Sequence, residues 1–319
     1  NESADFIAMS ELSSMTRVEE FSLRRSSPRI GERIIRGTLF SASAFSVLIT
    51  IGIVWSLLVP AIEFFRQVPI MDFLTGTRWA PRFSPASFGV VPLLVGTLWT
   101  TGIALLVAVP FGLGSAMYLS EYASDKTRRR LKPVVELLAG IPTVVYGFFA
   151  IEFVTRVVLK DWMGLTVGTF SVLSAGLVMG VMIIPTVASL SEDALSAVPL
   201  AMRQGSFALG ANKMQTTLRV VFPAAFSGIA AAVVLGISRA VGETMIVALA
   251  AGNKPNISSN PLEGAQTMTG FIANAALGDS RVGSLEYDTL FAVGLLLFMI
   301  TLIINFISIR LVRRYREAY

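Results

Sequence analysis

Two charges stand four residues apart inside an apolar run. Ser238-Arg239-Ala240-Val241-Gly242-Glu243-Thr244 interrupts a stretch of Ala, Val, Ile and Leu between Val220 and Ala251. Each such charge at the centre of a membrane helix costs roughly 2.5–3.5 kcal/mol on insertion scales, so it must face a protein interior or a water-filled path and find a partner there. On one continuous helix, Arg239 and Glu243 share a face and lie within reach of each other. The acid is C-terminal to the base, the less favourable order, so helix stability alone is a weak reason for the pair. The chemistry on offer is anion handling: Arg keeps its proton, and its planar fork makes two charge-assisted bonds to an oxyanion. Glu243 repels a dianion if it stands free, and is expected to pair with Arg239 when no anion is bound. Ser238, Thr143 and Tyr146 are weaker candidates, as neutral donors. The structural alternatives are a buried ion pair that fixes packing, and small polar residues that bond their own backbone or a neighbouring helix.

These residues need a membrane around them, and composition supplies the reason. Of 319 residues, 54% are hydrophobic and only 15% charged, and the mean hydropathy is +0.69, outside the range of ordinary soluble domains. The chain has neither Cys nor His, which removes disulfides, thiol nucleophiles, haem ligation, most zinc sites and every His-based triad. No Gly-rich P-loop followed by Lys and Ser or Thr occurs, so any ATP chemistry must be supplied from elsewhere.

A hydrocarbon core about 30 Å thick requires roughly 20 apolar residues in helix. Six stretches qualify: Thr38–Phe65, Val91–Leu119, Pro133–Val158, Phe170–Leu190, Val220–Ala251 and Thr289–Val312. The fold class expected is therefore all-α, a polytopic membrane protein, with a permease domain over 37–319. The polar, Arg-rich segment 1–36 lacks the pattern of a cleavable signal and is expected to be an arm or a short interfacial helix. Basic residues sort by side. Arg17, Arg24, Arg25, Arg29, Arg33 and Arg36, then Lys126, Arg128, Arg129, Arg130 and Lys132, then Arg203, Lys213 and Arg219, then Arg310, Arg313, Arg314 and Arg316 fall on one side. The positive-inside rule makes that side cytoplasmic, with both termini inside, and the basic runs themselves are read as retention signals and lipid-headgroup contacts. Two opposite-side segments, Arg66–Phe88 and Gly252–Asp288, carry Pro, Gly and Asn and are expected to be ordered loops with short helices, either a docking surface or plain connections.

Between the fourth and fifth spans, Pro199–Thr217 is too polar to cross yet rich in Ala, Leu and Met, and is expected to form a short cytoplasmic helix. Gly205 and Gly210 allow close approach or a sharp turn, and Phe207 and Leu209 are apolar anchors for a partner's groove. An ordinary amphipathic surface helix is the alternative. Gln204, Gly205 and Ser206, then Gly210, then Val220, Phe222 and Pro223 reproduce the spacing of the loop Glu-Ala-Ala, three residues, Gly, nine residues, Ile, one residue, Leu-Pro. That loop is the mark of ABC importer permeases, and this chain resembles them, departing at Gln204 where the usual residue is Glu. Asp72-Phe73-Leu74-Thr75-Gly76 with Trp79 and Pro81, Pro92-Leu93-Leu94-Val95-Gly96-Thr97-Leu98, Gly140-Ile141-Pro142-Thr143-Val144-Val145-Tyr146-Gly147 and Gly242-Glu243-Thr244-Met245 resemble the PstC branch, the permeases of phosphate importers.

The resemblance implies a type I importer permease in the bacterial plasma membrane. Its ATPase-coupling segment would be Gln204, Gly205, Ser206, Phe207, Ala208, Leu209, Gly210 and Ala211. Its partners would be a homologous PstA-type permease, two PstB-type ATPase subunits carrying ATP and Mg, and a PstS-type phosphate-binding protein. Arg239 and Glu243 match residues that the family uses along its translocation path. A Glu243 carboxylate can also accept a hydrogen bond from the P–OH of hydrogen phosphate, which sulfate lacks. Physics alone leaves open a permease for sulfate or molybdate, and a self-sufficient ion-coupled secondary transporter, although neither internal repeats nor further midplane acids are evident.

Overall fold

The computed structural model describes residues 30–278 and 281–314. The arm or short interfacial helix expected over 1–36 lies outside them as far as Arg29, and residues 30–36 are helical, continuous with the first helix. In chain order the helices are α1 (Ile30–Gln67), α2 (Ile70–Thr75), α3 (Val91–Met117), α4 (Asp125–Ala139), α5 (Thr143–Phe149), α6 (Val172–Ser196), α7 (Leu200–Ala208), α8 (Lys213–Thr216), α9 (Phe226–Val241), α10 (Met268–Ala276) and α11 (Leu285–Arg314). A two-stranded antiparallel hairpin, β1 (Trp79–Ala80) with β2 (Ser87–Phe88), pairs Trp79 with Phe88. Residues up to Val54 form one compact unit, which among the described residues is the N-terminal part of α1; Trp55 onward forms the other.

Four helices, α1, α3, α6 and α11, are each long and apolar enough to cross a membrane, and the total reaches six if two bent helix pairs each count as one span. Phe40 and Leu48 on α1 and Leu302, Ile303, Phe306 and Ile307 on α11 are exposed, as expected where lipid rather than water is the solvent.

The bends are the main departures from the expected spans. Pro133–Val158 is not one helix: α4 and the helix beginning at Thr143 meet at 85°. Pro142 lacks a backbone N–H and disfavours helix at Ile141, so the chain turns at Gly140-Ile141-Pro142 and restarts at Thr143. The restarted helix runs on from α5 as a π-helix over Ala150–Trp162. Val220–Ala251 is likewise divided. Lys213–Ala224 and α9 meet at 72°, next to Pro223, which cannot donate to the preceding turn. The span breaks again after Val241, where Gly242, Glu243 and Thr244 leave the helix before a π-helical turn at Val247–Ala251.

The core of the second unit lies where α3, α6, α9 and the Met245–Ala251 segment meet, around Ala104, Ala108, Met179, Met182, Ile183, Val187, Ala240, Ile246 and Val247. α3 and α6 form the most extensive helix pair, and Gly176 and Gly180 on α6 permit it. A Cβ at Gly176 would stand 2.7 Å from Ile103 Cβ, and one at Gly180 would stand 2.7 Å from Val107 Cβ and 2.8 Å from the Ala104 carbonyl. Association of apolar helices in lipid depends on such close backbone approach. At the Val91 end of α3, Phe64, Phe73, Trp79, Leu93, Phe271 and Val293 form a second cluster, with Trp79 and Phe271 edge-on at 4.9 Å. At the other end of α3, Ala116, Leu195, Val198, Val221, Ala225 and Ile229 form a third.

Candidate functional site: a charged helix break and a pinned surface helix

Arg239 and Glu243 do not share a helix face. α9 ends at Val241 with Gly242 as its cap, which corrects the expectation of a continuous helix and of an Arg239–Glu243 pair. Glu243 is buried, 9% exposed, and its Oε1 accepts from the backbone N–H groups of Met245 at 3.0 Å and Ile246 at 3.2 Å. It thus serves as the N-cap of the helical segment that follows. Arg239, in the last turn of α9, is exposed; its Nη2 donates to the Met182 thioether at 3.4 Å. Among the described residues no carboxylate forms an ion pair with it. Each charge instead occupies the helix terminus of complementary sign, a cation at a C-terminus and an anion at an N-terminus. The break therefore stabilises both charges separately, and leaves the guanidinium available.

A third element fixes the break. The N-terminus of α10 brings Thr269 Oγ1 to the Glu243 carbonyl, donating at 2.6 Å. Thr267 caps α10 through its contact with Gly270 N–H, and Met268 N–H donates to Thr97 Oγ1 of α3 at 3.0 Å. A non-helical backbone at membrane depth persists only where protein or a water-lined cavity satisfies it, and these bonds do so.

The weaker candidates separate. Tyr146 is buried, and its hydroxyl donates to the Leu138 carbonyl at 2.7 Å, stapling α5 to α4 across the bend. Ser238 donates to Asn305 Oδ1 of α11 at 3.1 Å. Thr143 is half-buried at the start of α5.

The segment expected to couple to an ATPase forms two short helices, α7 and α8, joined through Gly210, whose φ of 81° is the left-handed turn that glycine tolerates. No residue of α7 is buried. Gln204, Gly205, Phe207, Ala208 and Gly210 are exposed and Leu209 is 91% exposed. Ser206, half-buried, bonds Thr216 across the turn at 2.9 Å, and Ala211 N–H donates to the Ser206 carbonyl. Asn212 and Gln215 form a reciprocal capping box at α8.

Sequence reasoning missed what holds this helix. Arg203 pairs with Glu121 at 2.9 Å, the two side chains being 14% and 7% exposed. It also donates to the Leu195 carbonyl at 2.8 Å and to that of Val198. Nearby, Glu192 of α6 is fully buried and takes Arg128 and Lys132 of α4, the latter at 2.6 Å. Lys132 is held above its usual range by its bond to Glu192, against the opposing effect of burial. These carboxylates sit just past the ends of the apolar runs, so only a basic side chain from a distant segment reveals their role.

Comparisons with known proteins place this geometry. The chain is 38% identical over 245 residues to the probable ABC transporter permease protein YqgH of Bacillus subtilis, covering 75% of this chain and 78% of that one. It is 32% identical over 250 residues to the phosphate transport system permease protein PstC of Mesorhizobium japonicum, covering 73% and 75%. In fold it matches a chain of a bacterial alginate ABC transporter crystallised with an alginate-bound periplasmic protein, with a TM-score of 0.61 over 90% of this chain and 98% of that one, at 18% identity. Residues 108–317, from within α3 to beyond α11 and so including the charged break and the pinned surface helix, match one family throughout: the chain belongs to the binding-protein-dependent transport system inner membrane components, the permeases of ABC importers.

Proposed function

We propose that this chain is a membrane-spanning subunit of an ATP-driven importer of inorganic phosphate, with Arg239 as the contact that a passing anion meets. The observation that carries the proposal is an exposed guanidinium at an intramembrane helix break, without a carboxylate partner among the described residues. A charge in that position is costly against lipid, so its exposed side faces a path shared with a second subunit, here a homologous PstA-type permease. Glu243 Oε1 is occupied by backbone N–H groups; its other oxygen is the acceptor for the P–OH of hydrogen phosphate. α7 with Leu209 and Phe207 is the coupling element that enters a cleft of a PstB-type ATPase, two copies of which supply ATP, Mg and hydrolysis. Both termini and α7 lie on the cytoplasmic side, and a PstS-type binding protein delivers phosphate on the other. The kinship with named PstC permeases favours phosphate over sulfate or molybdate.

Uptake of labelled phosphate by the assembled importer in proteoliposomes tests this. Loss of charge-assisted bonds worth about 1.5–3 kcal/mol should lower uptake by roughly ten- to a hundredfold in Arg239→Gln, with Arg239→Lys retaining part of it. Normal uptake by a normally assembled Arg239→Gln importer refutes the role. Equal competition by sulfate in the wild type refutes the choice of phosphate.

A further inference from the structure

Only the last turns of α4, from Pro133, belong to an expected span, and the exposed face of the helix gives it another use. The helix starting at Thr143 runs to Trp162, π-helical from Ala150 on, and is long and apolar enough to cross a membrane only together with α4. α4 turns from it by 85°. It buries none of its residues completely. Its inner face is fixed: Arg128 and Lys132 reach the buried Glu192, Lys132 also reaches Asp193 at 3.2 Å, and Arg128 donates to Ser196 at 3.3 Å.

At about 100° per residue the opposite face carries Lys126, Arg130, Val134 and Leu137 in one strip, flanked by Arg129 and Leu131. All six are exposed, Val134 by 57% and Leu137 by 71%. Lys126, Arg129 and Arg130 line a recess of 410 Å³ with Asp125, the single acid there against three bases. One strip is thus cationic in its first turns and apolar in its last. An acidic protein surface would satisfy the first half alone, whereas an amphiphile with an anionic head satisfies both.

We propose that this strip of α4 binds an anionic phospholipid of the leaflet on the α7 side. The headgroup phosphate sits among Lys126, Arg129 and Arg130, and the acyl chains lie against Val134 and Leu137. Because Arg128 and Lys132 tie α4 to the end of α6, and Arg203 ties α7 to the same end, the bound lipid braces the platform from which α7 projects. The inference needs only that the chain spans a membrane, and stands apart from the choice of phosphate as cargo.

Native mass spectrometry of the full chain in detergent, titrated with phosphatidylglycerol or phosphatidylcholine, provides the test. Wild type should retain phosphatidylglycerol preferentially. Each of Lys126→Gln, Arg129→Gln and Arg130→Gln should weaken retention about fivefold, and the triple variant roughly a hundredfold. Arg128 and Lys132 are untouched, so α4 stays docked; hydrogen exchange of Asp125–Ala139 at the wild-type rate in detergent verifies this, and the single variants carry the test if the triple fails to fold. Equal retention of the two lipids, or undiminished phosphatidylglycerol retention in the variants, overturns the proposal. So does displacement of the lipid by millimolar inorganic phosphate, which would make the strip a free-anion site. Displacement by the partner ATPase would make it a protein interface, and equally overturns it.

Discussion

Arg203→Met removes the clamp on α7 while keeping side-chain length. The guanidinium makes three kinds of bond, to Glu121, to the Leu195 carbonyl and to the Val198 carbonyl. At 14% and 7% exposure the ion pair is nearly desolvated. Removing one partner of such a pair costs about 3–5 kcal/mol, because the other charge stays buried without compensation, and two carbonyls at the end of α6 lose a donor as well. α7 buries no residue of its own, so little else holds it, and the cost should fall on local opening of Leu200–Ala208 rather than on the α3–α6 core. Hydrogen exchange should show α7 amides losing protection by about two to four orders of magnitude while Val172–Ser196 is unchanged. In the assembled importer, phosphate uptake per ATP hydrolysed should fall. Removing both charges, in Arg203→Met with Glu121→Gln, should recover part of the protection, since the orphaned carboxylate is then gone. Unaltered exchange in α7, or a double variant as exposed as the single one, would refute the reasoning.

Two further outcomes follow from the helix break and the helix pair. Glu243→Gln keeps an acceptor for the Met245 and Ile246 N–H groups, so assembly should be normal, but the phosphate-over-sulfate preference in uptake should shrink; unchanged selectivity removes Glu243 from the recognition of P–OH. Gly180→Ala drives a Cβ to 2.7 Å from Val107 Cβ and 2.8 Å from the Ala104 carbonyl, and should destabilise the α3–α6 pair by about 1–3 kcal/mol, read as a lower midpoint of thermal unfolding in detergent.

The lysine of the α4 latch gives the expected pH behaviour. Lys132 is raised above its ordinary value of 10.5 by Glu192. Its contribution is complete below that value and is lost only as pH rises through the higher folded pKa. Protection of α4 against exchange, corrected for the intrinsic rate, should therefore be flat across the neutral range.

Much of this protein is legible in its residue types. Apolar runs of sufficient length fix the helical class and the repeated crossing of a membrane, because a bilayer leaves the backbone no other way to satisfy its hydrogen bonds. The spacing from Gln204 to Pro223 marks the surface helix, and Arg239 and Glu243 announce themselves by their cost. Periodicity, however, treats a run as one straight rod. It did not reveal that Pro142 and Pro223 turn the chain by 85° and 72°, nor that Glu243 caps a new helix instead of pairing with Arg239. Whether a Pro or Gly is absorbed into a helix or breaks it depends on which distant groups satisfy the freed backbone. At the break after Val241 Thr269 does so from α10, and Glu121 and Glu192 acquire their cations from segments still more distant. Those partners are far off in sequence and close only in the folded chain, so tertiary structure alone decided them.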